Sequence, residues 1–112
     1  MERTFINLKA FDKHWNELGL TDADLQVLQN IIMENPAIGD LIQGTGGLRK
    51  MRFALPNSGK SGGVRTLYVD YMSYNITVLM GVYSKSEQVS LTNAQKQGYK
   101  QEIDIIKRGL RK

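Results

Sequence analysis

Two neighbouring segments rich in β-branched and aromatic side chains, residues 65–72 and 76–83, restrict the fold of this chain more than any other feature. Only Ser73, Tyr74 and Asn75 separate them, so the pair predicts a β-hairpin with a tight connection. The second segment is almost continuously apolar, which is typical of a strand in the interior of a sheet. We therefore expect a sheet with residues 76–83 at its centre.

The first part of the chain instead predicts a helical hairpin. An apolar stripe at helical spacing extends from Leu8 to Leu18 and indicates a first helix. Thr21 and Asp24 then have the spacing of a capping box, which predicts a second helix over residues 22–34. A proline two residues beyond that helix favours its end there.

Further strands and a third helix complete the order of elements. Residues 3–7 and 48–55 have strand composition, and the glycines, serines and proline of residues 56–63 indicate a loop. Thr92 and Gln95 form a second capping box, which opens a C-terminal helix. The order is β-α-α-β-β-β-α. We expect a single α+β domain over all 112 residues, with the helical hairpin and the C-terminal helix packed on a small antiparallel sheet.

Charge is divided unevenly along the chain. Residues 1–40 carry seven acidic and three basic side chains, whereas residues 41–112 carry twelve basic and four acidic ones. No carboxylate lies between Asp40 and Asp70, although five cations do. Such segregation builds a local positive field, and the commonest partner of such a field is a phosphate backbone. A solvated basic face without a ligand is the alternative interpretation.

The composition excludes several kinds of chemistry. The absence of cysteine removes disulfides and thiolate nucleophiles. His14 is the only histidine, which excludes a paired-imidazole ribonuclease and a zinc site with several histidines, and no carboxylates converge by sequence for a two-metal site. We expect no metal and no other cofactor. No apolar run approaches the ~20 residues that cross a bilayer and no signal-peptide pattern is present, so we expect a cytoplasmic protein without a membrane contact.

A resemblance to a phosphate-binding loop is rejected. The segment Ser58-Gly59-Lys60-Ser61 has the right ending for such a loop, but Ala54 stands where the leading glycine is required. A predicted strand also follows this segment, whereas a phosphate-binding loop needs the N-terminus of a helix. No nucleotide site is therefore predicted here.

The cations of the predicted strands are the remaining candidates for a functional site. Alternation places Lys50 and Arg52 on one face of strand 48–55 and Arg49 on the other. Two cations side by side on one face repel each other, so protein stability does not explain their presence. Binding of an anion between them would explain it. Arg65 opens the next strand.

The last predicted strand adds Tyr83, and Lys85 follows it. If the strands are neighbours, four cations and one or two phenols line one concave face. That set suits phosphodiester cleavage without a metal or a histidine, because Arg and Lys stabilise a pentacoordinate phosphate and a crowded Lys can accept the 2′-hydroxyl proton. Tyrosines can stack on unpaired bases, and core packing is the alternative for Tyr68 and Tyr71.

Three blocks of sequence carry a family resemblance. They read GDLIQGTGGLRKMR at residues 39–52, SGKSGGVRTLY at residues 58–68, and YSKSE at residues 83–87, followed by LT at residues 91–92. In this order they resemble the signature of HigB-type toxins of the RelE/ParE superfamily. The predicted order of elements is similar to that of this family, so the resemblance covers nearly the whole chain.

The resemblance implies a RelE-like fold and a ribosome-associated endoribonuclease that cuts mRNA. It also implies a cognate antitoxin, a helix-turn-helix DNA-binding protein, as the inhibitor of a toxin that is monomeric when free. Carried over by position, Lys50 and Arg52 match cations that bind the phosphate or act as base. Arg65 matches the arginine at the scissile phosphate, and Lys85 lies near the cation that stabilises the transition state.

Proton transfer is the role for which the resemblance leaves alternatives. Some relatives carry a catalytic tyrosine near the start of the C-terminal helix, whereas here none occurs in that region before Tyr99. Tyr83, Tyr68 or Glu87 would then take that role, or the cations act alone. The predicted catalytic residues are Lys50, Arg52, Arg65, Lys85, Tyr83 and Glu87. The predicted RNA-binding residues are Arg49, Lys60, Tyr68, Lys107 and Arg111.

Two other functions are compatible with the same sequence. ParE-type members of the superfamily share the fold but inhibit DNA gyrase as protein-binding inhibitors without nuclease chemistry. A ribosome- or RNA-binding module whose cations serve affinity alone is the second alternative. A set of cations converging on one face favours the nuclease, because a gyrase-binding protein has no need of it.

Overall fold

Five strands form one sheet in the computed structural model, which describes residues 2–54, 63–84 and 90–111. The strands are β1 (Thr4–Asn7), β2 (Asp40–Leu41), β3 (Leu48–Phe53), β4 (Val64–Tyr71) and β5 (Ile76–Ser84). Their order across the sheet is β1-β5-β4-β3-β2. The predicted hairpin is confirmed as β4 and β5, although β4 rather than β5 is the middle strand.

Three α-helices and a short 3-10 turn accompany these strands in the described part of the chain: α1 (Lys9–Glu17), α2 (Asp22–Glu34), α3 (Asn93–Leu110) and Met72–Tyr74. Both predicted capping boxes are confirmed. Thr21 accepts a hydrogen bond from the Asp24 amide at 3.1 Å, and Thr92 accepts one from the Gln95 amide at the same distance. Of the helices described, none combines the length and the apolar character that a bilayer crossing needs.

The sheet differs from the prediction at both of its edges. β1 pairs with β5 in parallel, whereas the other pairs are antiparallel as expected. β2 was not predicted, because two residues are too few to show an alternating pattern. The strand predicted over residues 48–55 ends at Phe53. The predicted loop over residues 56–63 lies almost entirely outside the described residues.

Helices cover the sheet on both faces and so produce two hydrophobic cores. The face that we call the hairpin face is covered by α1 and α2, with Phe11, Trp15, Leu28 and Ile32 packed on Met51, Phe53 and Tyr68. The opposite face, which we call the α3 face, is covered by α3, with Ile103 packed on Leu48, Leu67, Val69 and Val78. Burying one such side chain is worth roughly 1.5–3 kcal/mol. Successive residues of β3 and of β4 therefore face different helices.

A buried ion pair ties the start of the chain to the sheet. Arg3 lies just before β1 and binds Asp70 of β4, and both side chains are over nine-tenths buried. The Thr77 hydroxyl of β5 donates to the same carboxylate at 2.9 Å. Loss of one partner from such a pair typically costs about 3–5 kcal/mol, because it leaves an uncompensated buried charge. This network holds β1 at the edge of the sheet.

Candidate functional site

Two arginines and a tyrosine form one row across the sheet. Arg52 of β3 is paired directly with Arg65 of β4, and Arg65 is paired with Tyr83 of β5. Paired residues have Cβ atoms about 4.5–5.5 Å apart on the same face, and like charges so placed are destabilising. Arg52 is exposed, and the other two are half-buried. The row is therefore a place where an anion would stabilise the protein.

Lys50 lies on the same face as this row, as predicted. Met51 and Phe53 belong to the core of the hairpin face and Leu48 belongs to that of the α3 face, so alternation directs Lys50 and Arg52 toward the α3 face. Lys50 is paired with Leu67, which is in turn paired with Gly81. We call Lys50, Arg52, Arg65 and Tyr83 the cationic row set.

A β-bulge in β5 brings Tyr83 into this set. Leu67 is paired with Gly81 but Tyr68 is paired with Leu79, so Met80 has no partner of its own on β4. One extra residue shifts the alternation by one position. Tyr83 consequently packs with the core of the α3 face, beside Arg65, rather than on the hairpin face.

Tyr99 of α3 lies over the same part of the sheet. A Cβ atom built on Gly81 would be 3.0 Å from the Tyr99 hydroxyl oxygen, which is tighter than an ordinary contact, so a glycine at this position favours the close approach. Tyr99 was not among the site residues predicted from the sequence. The signal that would have revealed it is a glycine inside an otherwise bulky strand.

Both phenols at this site are held in the protonated form. Burial raises the pKa of Tyr83, and the positive charge of Arg65 opposes part of that rise. Burial also raises the pKa of Tyr99, and the negative charge of Glu102 and the neighbouring Tyr83 raise it further. At neutral pH both side chains are therefore hydrogen-bond and proton donors beside the cations.

The predicted RNA contact of Tyr68 is wrong. This side chain is fully buried on the hairpin face, because positions 65 and 68 are an odd number of residues apart on β4. Its hydroxyl accepts a hydrogen bond from the Gly39 amide and donates one to the Pro36 carbonyl, each at 2.9 Å. Burial, its largest influence, raises the pKa of Tyr68. Tyr68 holds the segment between α2 and β2 on the sheet and is unavailable to a base.

The predicted RNA contact of Arg49 stays a prediction, and the structure places this side chain apart from Lys50 and Arg52. Arg49 is directed toward the hairpin face, and its guanidinium donates to the carbonyl oxygens of Gly39 at 2.6 Å and Ala37 at 3.3 Å. These bonds satisfy carbonyl groups of the same connecting segment that Tyr68 holds. Arg49 is thus a structural cation.

The other predicted residues fall into two groups. Lys60, Lys85 and Glu87 lie outside the described residues. Lys107 and Arg111 are exposed on and just after the last turns of α3. Their predicted RNA contacts stay predictions.

A carboxylate not considered from the sequence lies at the edge of the site. Asp40 of β2 is paired with Lys50, so both side chains share the α3 face. Asp40 is exposed, and no ion pair joins the two within the described part of the chain. Among the same residues, no three acidic or histidine side chains lie close enough to share a metal ion.

Comparison with known proteins agrees with this fold. The family model of the RelE toxin of the RelE/RelB toxin–antitoxin system matches residues 2–108. A mutant of the E. coli toxin RelE in the free state aligns with a TM-score of 0.56 at 17% identity, over 92% of this chain and 98% of that one. A chain of the archaeal RelE–RelB complex from Pyrococcus horikoshii OT3 aligns with a TM-score of 0.51 at 18% identity, over 79% of this chain and all of that one.

Fold and family model together define the class of the protein. At these identities the solved structures establish the shared fold, and the match over residues 2–108 establishes the family. The chain belongs to the RelE family of toxins of toxin–antitoxin systems.

Proposed function

We propose that this protein is a HigB-type toxin that cleaves mRNA on the translating ribosome through the cationic row set, without a metal. The observation that carries the proposal is the direct pairing of Arg52 with Arg65 and of Arg65 with Tyr83 on one face. A pair of opposed arginines costs stability in the free protein. It gains a function when a phosphate lies between them, because guanidinium groups bind phosphate oxygens in a bidentate way.

The chemistry requires charge stabilisation and two proton transfers. The 2′-oxygen of the substrate attacks phosphorus, the bond to the 5′-oxygen breaks, and the negative charge that builds on the phosphoryl oxygens is stabilised by Arg52, Arg65 and Lys50. A proton must leave the 2′-hydroxyl and another must reach the departing 5′-oxygen. The products are a 2′,3′-cyclic phosphate and a 5′-hydroxyl.

The phenols of Tyr83 and Tyr99 suit the transfer of a proton to the departing 5′-oxygen. A phenol is protonated at neutral pH, and burial raises the pKa of Tyr83 and of Tyr99 further, so each can give up a proton and neither serves as the base. The acceptor of the 2′-hydroxyl proton is then a different group, and Lys50, Lys85 and Glu87 are the predicted residues with suitable chemistry. The acid is thereby assigned to a phenol and the base to one of these three residues.

An antitoxin is the proposed partner. The archaeal structure to which this fold is similar is a RelE–RelB complex, and we extend the same kind of partnership, with a helix-turn-helix antitoxin, to this chain. An acidic or groove-filling antitoxin segment on the α3 face would neutralise the cations and exclude RNA. Action on the ribosome requires a cytoplasmic location.

The test is cleavage in a translating extract. The purified protein is added to an extract with a defined mRNA, and new 5′ ends are mapped by primer extension, while supercoiling by DNA gyrase is measured in parallel. New 5′ ends with the wild-type protein but not with Arg65→Ala support the proposal. Inhibited supercoiling with intact mRNA would instead establish a gyrase inhibitor. Arrested translation without cleavage would establish a binding module.

A second experiment addresses the partner. Expression of the protein alone should arrest growth, and expression with the product of the neighbouring gene should restore growth and allow the two proteins to be purified together. Normal growth in the presence of soluble, folded protein would contradict the toxin proposal.

A further inference from the structure

Three cations of α3 and its C-cap residue Arg111 lie on one flank of the helix, whereas Arg108 lies outside that flank. Lys96, Lys100, Lys107 and Arg111 follow one another at intervals of four, seven and four residues, which keeps them within about 60° of helical arc and spreads them over about 22 Å. We call these four residues the basic flank. The opposite flank of α3 borders the start of α1 and presents Gln95, Gly98 and Glu102 there.

The basic flank lies beside the glycine-rich turn that joins β2 to β3. A Cβ atom built on Gly46 would lie 3.6 Å from Cγ of Lys100, and one built on Gly44 would lie 4.0 Å from Cδ of Lys96. The aliphatic parts of both lysines thus lie along the turn, which directs their ammonium groups toward solvent. A groove of about 440 Å³ between turn and helix is lined by Gly46, Lys100 and Lys107, together with Gln97 and Gln101.

The turn itself is rigidly held. The hydroxyl of Thr45, which is fully buried, donates to the Ile42 carbonyl at 2.6 Å and accepts from the Leu48 amide at 3.0 Å. Gly44 and Gly46 have positive φ angles of 83° and 77°, which side chains other than glycine rarely adopt. Hydrogen bonds within the turn therefore hold one wall of the groove.

Among the residues that the structure describes, no carboxylate forms an ion pair with the lysines of the basic flank. Asp104 lines the same groove, but it is bound to Arg108 at 2.7 Å. Across residues 2–54, 63–84 and 90–111, the ion pairs are this one and the pair of Arg3 with Asp70. Lys96 and Lys100 are left to bind an external anion.

The basic flank is continuous with the candidate site. Tyr99 lies over Gly81 near the cationic row set, whereas the carbonyl of Ile103 accepts a 2.7 Å hydrogen bond from Tyr71 at the far end of β4. α3 therefore leads away from the row set, and Lys96 is the member of the basic flank nearest to it along the helix.

We propose that the basic flank and the glycine turn bind the phosphodiester backbone of RNA, so that a strand entering the row set runs along the β2–β3 side of α3 and not along its α1 side. The proposal rests on the proposed function, because it takes RNA as the ligand. Phosphate contacts of this kind position a strand without reading its sequence. The amides of Gln97 and Gln101 add hydrogen-bonding groups for sugar or phosphate oxygens.

The test compares two double variants that remove the same charge. K96A/K100A alters the basic flank, and K9A/K13A removes two exposed lysines of α1, of which Lys9 borders the groove on the other side of α3. Binding of a fluorescent single-stranded oligonucleotide with 2′-O-methyl ribose, which cannot be cleaved by attack of a 2′-hydroxyl, is measured by anisotropy at several salt concentrations. Thermal melts verify that both variants are folded.

We expect K96A/K100A to weaken binding and to reduce the slope of log K against log salt by about 1.4, or about 0.7 per lysine. K9A/K13A should keep the wild-type slope. An unchanged slope in K96A/K100A would overturn the proposal, because it would show that these two lysines do not contact the phosphates. An equal reduction in both variants would also overturn it, because it would reveal a diffuse effect of net charge.

A second arm separates the two sources of RNA backbone. The same variants are sedimented with ribosomes that carry no mRNA. A defect of K96A/K100A with the oligonucleotide supports the proposed path of the substrate strand. A defect with empty ribosomes alone would place ribosomal RNA on the basic flank and overturn that path, and the absence of both defects overturns the proposal as well. If the wild-type protein binds with the expected slope but cleaves no mRNA, the proposed function fails and the basic flank stands.

Discussion

The two faces of β3 use the same kind of side chain in different ways. On the hairpin face, Arg49 donates to the carbonyl oxygens of Gly39 and Ala37 and so helps to fix the connection between α2 and β2. Three residues later, on the α3 face, Arg52 is exposed and paired with another arginine. The role of a cation in this strand is therefore decided by the face to which alternation directs it.

The tyrosines repeat the same contrast. On the hairpin face the Tyr68 hydroxyl is fully bonded to the backbone. On the α3 face Tyr83 and Tyr99 lie near Arg65 and Gly81, where burial raises the pKa of each phenol and keeps it a donor. The hairpin face thus uses Tyr68 to hold the backbone, whereas on the α3 face Tyr71 is bonded to α3 and Tyr83 and Tyr99 lie near the cations.

The largest expected effect is the loss of cleavage in the row set. Arg52→Ala, Arg65→Ala and Lys50→Ala should each lower single-turnover mRNA cleavage by roughly 10²-fold or more, because each removes charge that stabilises the transition state. The matched control is Arg49→Ala, which removes an arginine of the same strand from the other face and should cleave near the wild-type rate.

Thermal melts sharpen this first comparison. Arg52→Ala should melt at or above the wild-type temperature, since it relieves repulsion from Arg65. Arg49→Ala should melt earlier, because it leaves the half-buried Gly39 carbonyl without its donor. Equal cleavage by the Arg49 and Arg52 variants would show that the two faces do not differ as described.

The next effect concerns Tyr99, whose hydroxyl lies close to Gly81. Tyr99→Phe should lower cleavage by about 10²-fold, the lower end of the range for loss of a general acid, with little change in melting temperature. Tyr71→Phe is the control, because it also removes a phenol hydroxyl at the contact between α3 and the sheet. The Tyr71 hydroxyl donates to the Ile103 carbonyl of α3. That control should keep cleavage and lose about 1 kcal/mol of stability. Wild-type cleavage by Tyr99→Phe would remove Tyr99 from the mechanism.

A smaller effect is expected on the hairpin face. Tyr68→Phe leaves the buried Gly39 amide without its acceptor, which should lower the free energy of unfolding by about 1–3 kcal/mol. Cleavage per folded molecule should not change. Urea unfolding gives the first quantity, and single-turnover cleavage well below the unfolding midpoint gives the second. A loss of cleavage with intact stability would return Tyr68 to the RNA-binding residues.

The smallest effect is a pH dependence of stability. Burial, with the charge of Asp104, raises the pKa of Tyr71 to about 12 from 10.0. Above pH 10 the unfolded chain ionises this phenol while the folded protein still holds its proton, so the contribution of Tyr71 is complete below pH 10 and is lost as the pH rises toward 12. Urea midpoints should fall over this range, and less steeply in Tyr71→Phe. The same slope in both proteins would contradict the assignment.

Several features followed from short stretches of the chain. The bounds of α2, both capping boxes, the β4–β5 hairpin and the common face of Lys50 and Arg52 are set by residues within a few positions of one another, where helical and strand periodicities act. The correct placement of Tyr68 was also available from the sequence, since residues 65 and 68 differ by an odd number. Its aromatic character misled the RNA-binding prediction.

The remaining features depend on contacts between residues far apart in the chain. The parallel pairing of β1 with β5, the bulge at Met80 that brings Tyr83 beside Arg65, and the approach of Tyr99 to Gly81 all join separate elements. The energy of such contacts depends on which strand lies next to which and in what register, and local periodicity carries neither. The sequence by itself therefore determined the helices, the hairpin and the cations of one strand face, and tertiary structure alone decided which of the other polar groups meet them.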